Sequence, residues 1–474
     1  MKCVPILSVT KAFPWQAFAN DPQYREKIAL RSSQGDVFTW QEIGQKIDQT
    51  AAFLQHRGIS SESLVAFCGK NSEAILFLYL ATIQIGAKIL GLNPAFPAEK
   101  IHALCAEYAI DRCFFDEDLL DIPAGSPSEQ LSYHNADFLR PATMTLTSGS
   151  SGLPKAVVHH IQAHLDNARG VCQLMHFNAS QSWLLSLPLY HVSGQGIVWR
   201  WLLCGAVLHF PQEDFFASLL QASHVSLVPT QLQRLLDYLH TSPQIAINTK
   251  HILLGGAHIP LELTQAVRQY GIIAYSGYGM TEMASTIFAK PSDNSPGVGQ
   301  PLFGRQFQLV NEEIWLKGAG LALGYWKNGE IISLTNEQGW LQTKDKGIWQ
   351  NNELVIVGRL DNMFISGGEN IQPEEIERMI LQSPLVKQVW VLPKADREFG
   401  ARPVAIVEFY EQFTESAVEK LRVFLQTHLA RFKQPIAYYP LPCGIQQGAI
   451  KISRKALAQW LASQEQQSRK NNNK

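Results

Sequence analysis

Residues 147–155 read TSGSSGLPK, a run of hydroxyls and glycines able to turn backbone N–H and side-chain O–H groups toward phosphate oxygens. Thr147, Ser148, Gly149, Ser150, Ser151 and Gly152 are the candidate phosphate contacts, and Lys155 is either a phosphate-side cation or a strand-edge lysine. The run is not a Walker A loop. Its lysine comes six residues after Gly149, Pro154 precedes that lysine, and Ala156 stands where a Ser or Thr would hold Mg²⁺. Apolar alternation over 143–146 and 155–158 predicts a loop joining two strands and flexing over its ligand. Far downstream, residues 448–454 read GAIKISR and offer Lys451 near the end of the chain.

The elements that position these residues follow from periodicity. Helical stretches over 40–57 and 73–85 alternate with short apolar runs over 64–68 and 88–91. The pattern returns at 184–187 and 226–229 (strands), 230–239 (helix) and 252–254 (strand), which predicts layered α/β structure with largely parallel sheets. Between about 304 and 359 the texture changes to hairpins, 306–310 with 313–317 and 347–350 with 354–357 across Asn351-Asn352, so a small antiparallel unit is expected there. A compact α/β domain begins after residue 359, with Pro373 in the first turn of a helix over 374–382, strands near 386–392 and 403–409, and a helix over 416–429. The expected fold class is therefore α/β, with a large N-terminal domain (1–359) and a smaller C-terminal one (360–474). The polar tail from about 463 is expected to be disordered.

Composition sets outer limits. At 474 residues the chain exceeds the size at which one hydrophobic core stops growing, so two or more domains are expected. A formal net charge of −1 gives no electrostatic reason to expect nucleic acid or an acidic membrane as partner. Seven scattered cysteines without a C-x-x-C spacing fit a reducing, cytoplasmic setting better than a disulfide framework. The apolar stretch over 74–92 is interrupted by Thr82, Gln84, Gly86 and Lys88 and reads as a buried helix turning into a buried strand, without stable membrane insertion. The sequence is silent on oligomeric state, so a homo-oligomer stays open.

The loop at 147–155, the run Tyr278-Gly279-Met280-Thr281-Glu282, the segment Gly358-Arg359-Leu360-Asp361 and Lys451 occur in one order. That series resembles the acyl-adenylate-forming superfamily of acyl-CoA ligases, adenylation domains and firefly-type luciferases, over nearly the whole chain. The resemblance implies an enzyme that uses Mg²⁺ and ATP to activate a carboxylic acid and then CoA to capture the acyl group. It gives Glu282 a role in holding Mg²⁺ and Thr281 a phosphate contact; Glu282 could otherwise be a solvated carboxylate after a turn. Adenine would lie between Gly255-Gly256-Ala257 and Tyr278-Gly279, although the glycines also read as a plain strand-end turn. Asp345 would take the ribose hydroxyls, with Lys344 where glycine is usual, and Arg359 is the other ribose or phosphate candidate. Lys451 would bridge carboxylate and α-phosphate. A mobile C-terminal domain would then swing about Asp361 and bring the loop with Gly367 and Gly368 toward CoA. Asp361 as a turn cap and Lys451 as an exposed lysine are the plainer alternatives.

The acid side is carried by residues 187–203, LPLYHVSGQGIVWRWLL. A helix here places Ser193, Gly196, Ile197 and Arg200 on one face. An arginine in such an apolar run is costly to bury unless an anion meets it, which predicts an acid with a second carboxylate. Arg200 could instead reach solvent or pair with an internal carboxylate. Ser193 and Gln195 are further polar candidates, and His191 is either a gate beside the acyl group or a packed core residue. His159, His160 and His164 lack the cysteine or carboxylate partners of a metal site and read as ordinary packed histidines. Other aryl- or acyl-CoA ligases and a catalytically silent nucleotide-binding protein remain alternatives at this level.

Overall fold

The computed structural model describes residues 12–119, 136–147, 154–256, 259–367, 369–443, 445 and 452–471. Contacts divide the chain into unit 1 (1–307 and 316–341) and unit 2 (308–315 and 342–474). The α/β class expected from the alternation holds in both.

Unit 1 contains two mixed sheets. In the eight-stranded sheet, parallel strands Ile273–Met280, His251–Leu254, His224–Leu227, Ser182–Leu184, Val207–His209 and Ile28–Arg31 lie side by side. Antiparallel strands Ser285–Pro291 and Val37–Thr39 close its two edges. In the seven-stranded sheet, Lys88–Leu92 runs parallel to Pro141–Thr147, which turns back antiparallel into Lys155–His160. The pairing Thr147↔Lys155 pins both ends of the phosphate-loop candidate, whose residues 148–153 lie outside the described ones.

Helices Trp40–His56, Glu73–Gln84, Ile161–Leu174 and Val192–Cys204 build the main core with these sheets. Each starts where its sequence allows. Thr39 and Glu42 form a capping box, and the Ser72 hydroxyl accepts from the Ile75 N–H. Helix Glu73–Gln84 is buried on nearly all faces, and its polar groups are satisfied inside the protein. The Thr82 hydroxyl donates to Leu78 O, Gln84 donates to Asp48, and Gln84 accepts from the Trp15 indole. It turns at Gly86 into strand Lys88–Leu92, as the interrupted apolar run predicts. Among the described residues no helix is long and apolar enough to cross a membrane. Two boundaries differ from expectation. Strand Ser182–Leu184 ends before Leu185, and Pro229 opens helix Pro229–Thr241 rather than ending a strand, because proline fits the first helical turn.

In unit 2 the hairpin Leu341–Gln350 with Glu353–Arg359 turns at Asn351 and Asn352, both left-handed (φ 52° and 62°), the two-residue geometry that matches strand twist. The expected domain boundary at 359 falls inside unit 2. Helix Pro373–Ile380 packs on strand Glu353–Arg359, Arg378 donating to Val357 O and Gln372 to Arg359 O. A five-stranded sheet built around Val386–Asp396 and Gly400–Phe409 forms the rest of the unit with helices Glu415–His428 and Arg454–Asn471. The last helix runs on through the polar tail to Asn471. Gln, Glu, Arg and Lys are good helix formers, and they propagate a helix that Leu457 and Leu461 anchor in the core.

Candidate active site

Three neighbouring strands of unit 1 carry the residues expected on the nucleotide side. Strand His251–Leu254 pairs in register with Ile273–Met280 and ends at Gly255 and Gly256, so the glycines come alongside Gly277 and Tyr278. Gly256 takes φ 83°, which an L side chain rarely adopts, whereas a Cβ on Gly255 would meet Gly277 O at an ordinary 3.7 Å. Ala257 lies outside the described residues. At Gly279 the need for glycine is steric, since a Cβ would sit 2.2 Å from Ser285 O on the next strand.

The chain then makes a tight turn, Thr281–Met283, with Thr281 and Glu282 both buried at 8% exposure. Glu282 is therefore not a solvated carboxylate. Its Oε1 accepts from the Tyr325 hydroxyl at 3.0 Å, and its backbone O accepts from Ala322 N. Lys155, exposed at the end of the loop, carries its Nζ 4.9 Å from the Tyr325 ring centroid. Asn167 on helix Ile161–Leu174 donates to Met283 O and Thr286 O, and the buried Arg305 donates to Thr286 O and Asn167 O. Tyr325, Asn167 and Arg305 carry no motif that marks them in the sequence; their spacing from Glu282 along the chain hides the contacts.

The candidate acid-side residues lie on helix Val192–Cys204, buried along almost its whole length and ended by Gly205 in the left-handed conformation. A Cβ on Gly194 would collide with Pro188 O, so the helix start lies hard against the chain that leads into it. His191 stands at the N-cap, half-buried, its Nδ1 3.3 Å from the Ser193 hydroxyl. Gln195 Nε2 donates to Thr145 Oγ1 at 3.0 Å and to Leu189 O, which joins this helix to the strand that runs into the phosphate loop. Its donors thus serve the protein, and its Oε1 is buried without a partner among the described residues.

Arg200 is 1% exposed. Nη1 donates to the Ser226 hydroxyl at 3.2 Å, the guanidinium lies 4.8 Å from the Trp183 ring centroid, and Nε has no partner among the described residues. Burial lowers its pKa to about 10, so it stays a cation at neutral pH. It reaches neither solvent nor, among the described residues, a carboxylate, which removes both plainer readings. A buried cation left unpaired costs on the order of several kcal/mol, and Arg305 nearby adds like charge. The arrangement calls for an anion.

The histidines behave as packing. His159 and His164 are fully buried, His164 stacks on Trp199 at 5.2 Å and meets Thr143 Oγ1 at 2.7 Å, and burial pushes His159 down to about 3. Among the described residues no group of three His, Cys, Asp or Glu could hold a metal by itself.

In unit 2, Asp345 is 8% exposed and its Oδ1 accepts from Arg359 Nη1 at 3.0 Å across the hairpin. Arg359 also donates through Nε and Nη2 to both oxygens of Asp361, which holds that carboxyl below its ordinary value. Lys344, the position where the resemblance leads one to expect glycine, takes the left-handed φ 61°, at a cost of roughly 1–2 kcal/mol for an L-residue. Gly367 is left-handed (φ 58°) and donates its N–H to Phe399 O. Gly368 and Lys451 lie outside the described residues. Just beyond Lys451, Ile452 is buried with Leu392 and Ile406, and Arg454 is bonded to Glu377 and Val391 O.

Known proteins are similar to this chain in sequence and fold. The chain is 69% identical over 454 residues to the 2-succinylbenzoate–CoA ligase of Haemophilus influenzae, with 96% of this chain and 99% of that one covered. A variant of Escherichia coli MenE with bound OSB-AMS superposes with a TM-score of 0.85 at 40% identity, covering 96% and 99% of the two chains. The Bacillus subtilis o-succinylbenzoate coenzyme A synthetase solved with ATP and magnesium ion shares the fold, with a TM-score of 0.79 at 23% identity over 90% and 95%. The family model described as AMP-binding enzyme matches residues 16–326, which include the run at 147–155, the Thr281–Glu282 turn and the arginine-bearing helix. On that match the chain belongs to the AMP-binding enzyme family.

Proposed function

We propose that the chain is an acid–thiol ligase that converts 2-succinylbenzoate to 2-succinylbenzoyl-CoA through an acyl-adenylate, with ATP and CoA consumed and AMP and pyrophosphate released, in menaquinone synthesis. The observation that carries the choice of acid is the unpaired Arg200 guanidinium. 2-Succinylbenzoate has an aliphatic carboxylate to be activated and an aromatic one that stays free, and the free one is the missing counter-ion. Residues 187–203, 275–285 and 359–377 are themselves similar to o-succinylbenzoate–CoA ligases.

The remaining residues divide the work. Residues 147–152 and the Thr281 hydroxyl are assigned to the phosphates. A single buried carboxylate, Glu282, suits Mg²⁺, which prefers one or two protein carboxylates plus substrate phosphates. Mg²⁺ supplies charge neutralisation on the phosphates, and Tyr325 keeps one Glu282 oxygen oriented by its hydrogen bond. Tyr278 and the Gly255-Gly256 edge offer the adenine a flat seat, and Asp345 with Arg359 is assigned to the ribose. Gln195 ties the acid helix to the phosphate-loop strand. The six described cysteines are free, which supports a cytoplasmic setting.

A benzoate- or coumarate-type ligase is the competing reading, and it leaves Arg200 without a partner. An acid panel separates the two. With pyrophosphate release and CoA consumption measured together, 2-succinylbenzoate is expected to exceed benzoate, coumarate and fatty acids in kcat/KM by about 10⁴-fold, because a site built around a polar group rejects acids that leave it unpaired. Equal turnover of a monocarboxylate would overturn the choice of acid while leaving the reaction class intact.

A further inference from the structure

We propose that a small cavity at the carboxyl ends of strands Ile28–Arg31 and Val207–His209 is a binding site for a phosphate-like oxyanion, separate from the residues assigned to the reaction. The cavity has a volume of about 60 Å³, and Arg31, Ser32, His209, Gln212 and Gln221 face it. That volume takes several waters or one tetrahedral oxyanion. None of its described lining residues is acidic. The two strands run parallel with Arg31 paired to His209, so both side chains leave the same face of the sheet.

What these groups lack is an acceptor. Among the described residues the side chains of Arg31, His209, Gln212 and Gln221 make no hydrogen bond and no ion pair. Ser32, 4% exposed, accepts from the Gln34 and Asp36 N–H groups, and its own hydroxyl proton has no acceptor among the described residues. Burial, and then the charge of Arg31, hold His209 down at about 4, so its ring is neutral at pH 7 and has one N–H to give. The walls are fixed without any of these donors. The Ser32 oxygen closes the loop over 32–36, where Gly35 is left-handed at φ 92°, and Phe210 N donates to Arg31 O. The Ser218 hydroxyl accepts from Gln212 N and donates to Asp214 O. Neighbouring carboxylates are engaged elsewhere, Glu73 with Ser33 N and Asp214 with Ala217 N and the Tyr238 hydroxyl. A preformed hollow with one cation, several unused donors and no counter-charge suits an anion with acceptors in several directions, and a guanidinium is well matched to phosphate oxygens.

The test is calorimetric titration of the full chain with inorganic phosphate, in saturating Mg²⁺ and α,β-methylene-ATP so that the nucleotide site is already filled. The wild type is expected to take up one phosphate. Arg31→Gln is expected to weaken that uptake by at least about tenfold, the worth of one hydrogen bond to a charged group. Gln212→Glu, which sets a carboxylate in the cavity while Arg31 stays in place, is expected to weaken it as much. Arg31 and Gln212 are exposed, so both variants are expected to keep the wild-type Tm in phosphate-free buffer and a kcat/KM within about twofold. A parallel titration with glycerol 3-phosphate identifies the source of the anion: uptake of both marks a site for the phosphate group of a larger molecule, uptake of inorganic phosphate alone a site for the free ion. No phosphate uptake beyond the nucleotide site, or uptake that Arg31→Gln and Gln212→Glu leave unchanged, would overturn the proposal.

Discussion

Lys451→Ala is expected to lower the rate of adenylate formation by at least about 10²–10³-fold, while thioester formation from chemically supplied acyl-adenylate and CoA stays near that of the wild type. In the first half-reaction an anionic carboxylate attacks an anionic α-phosphate, and a positioned cation between them is worth most where the transition state gathers charge. Ile452 is buried in the core of unit 2, and Arg454 is held by the Glu377 carboxylate and Val391 O. A lysine that serves only as a solvated surface charge would change neither half-reaction. Equal loss in both would instead contradict the assignment of Lys451 to the first step alone. Rapid-quench measurement of each half-reaction separates the outcomes.

Arg200→Ala is expected to lose roughly 2–5 kcal/mol in the use of 2-succinylbenzoate, about 30-fold to several thousand-fold in kcat/KM. The side chain is fully enclosed, with Trp183 beneath its guanidinium and Ser226 on Nη1, so removing it takes away a preorganised cation rather than a mobile one. Protein stability is expected to move the other way or stay level, because the unliganded protein loses an unpaired buried charge. An unchanged kcat/KM for the dicarboxylate would remove Arg200 from the acid site. A fall shared equally with every acid would make its role one of packing.

The parts of this picture legible in the sequence are those written in local chemistry. Arg200 stands in an apolar run with Gly196 one helical turn away, and that contrast alone predicts a buried cation facing small residues. Asn351-Asn352 announces a tight hairpin, and the turn between Glu73–Gln84 and Lys88–Leu92 follows from the polar interruptions of one greasy stretch. What stayed hidden depends on contacts between distant segments. Tyr325 reaches Glu282 from 43 residues away, and Asn167 reaches Met283 from 116. No residue type signals the backbone of Ser285, since serine carries no preference for φ 120° and only the packing around Gly279 imposes it. The tail combines low complexity with residues that are individually good helix formers, and these continue a helix anchored by Leu457 and Leu461.

The most direct measurement omits CoA. Purified protein is mixed with MgATP and 2-succinylbenzoate, and the quenched mixture is assayed by mass spectrometry for the mixed anhydride with AMP, in parallel with pyrophosphate. The account predicts 2-succinylbenzoyl-adenylate in an amount close to that of the enzyme, discharged to the thioester when CoA is added. Pyrophosphate-free, adenylate-free mixtures with this and every other acid of the panel would contradict it.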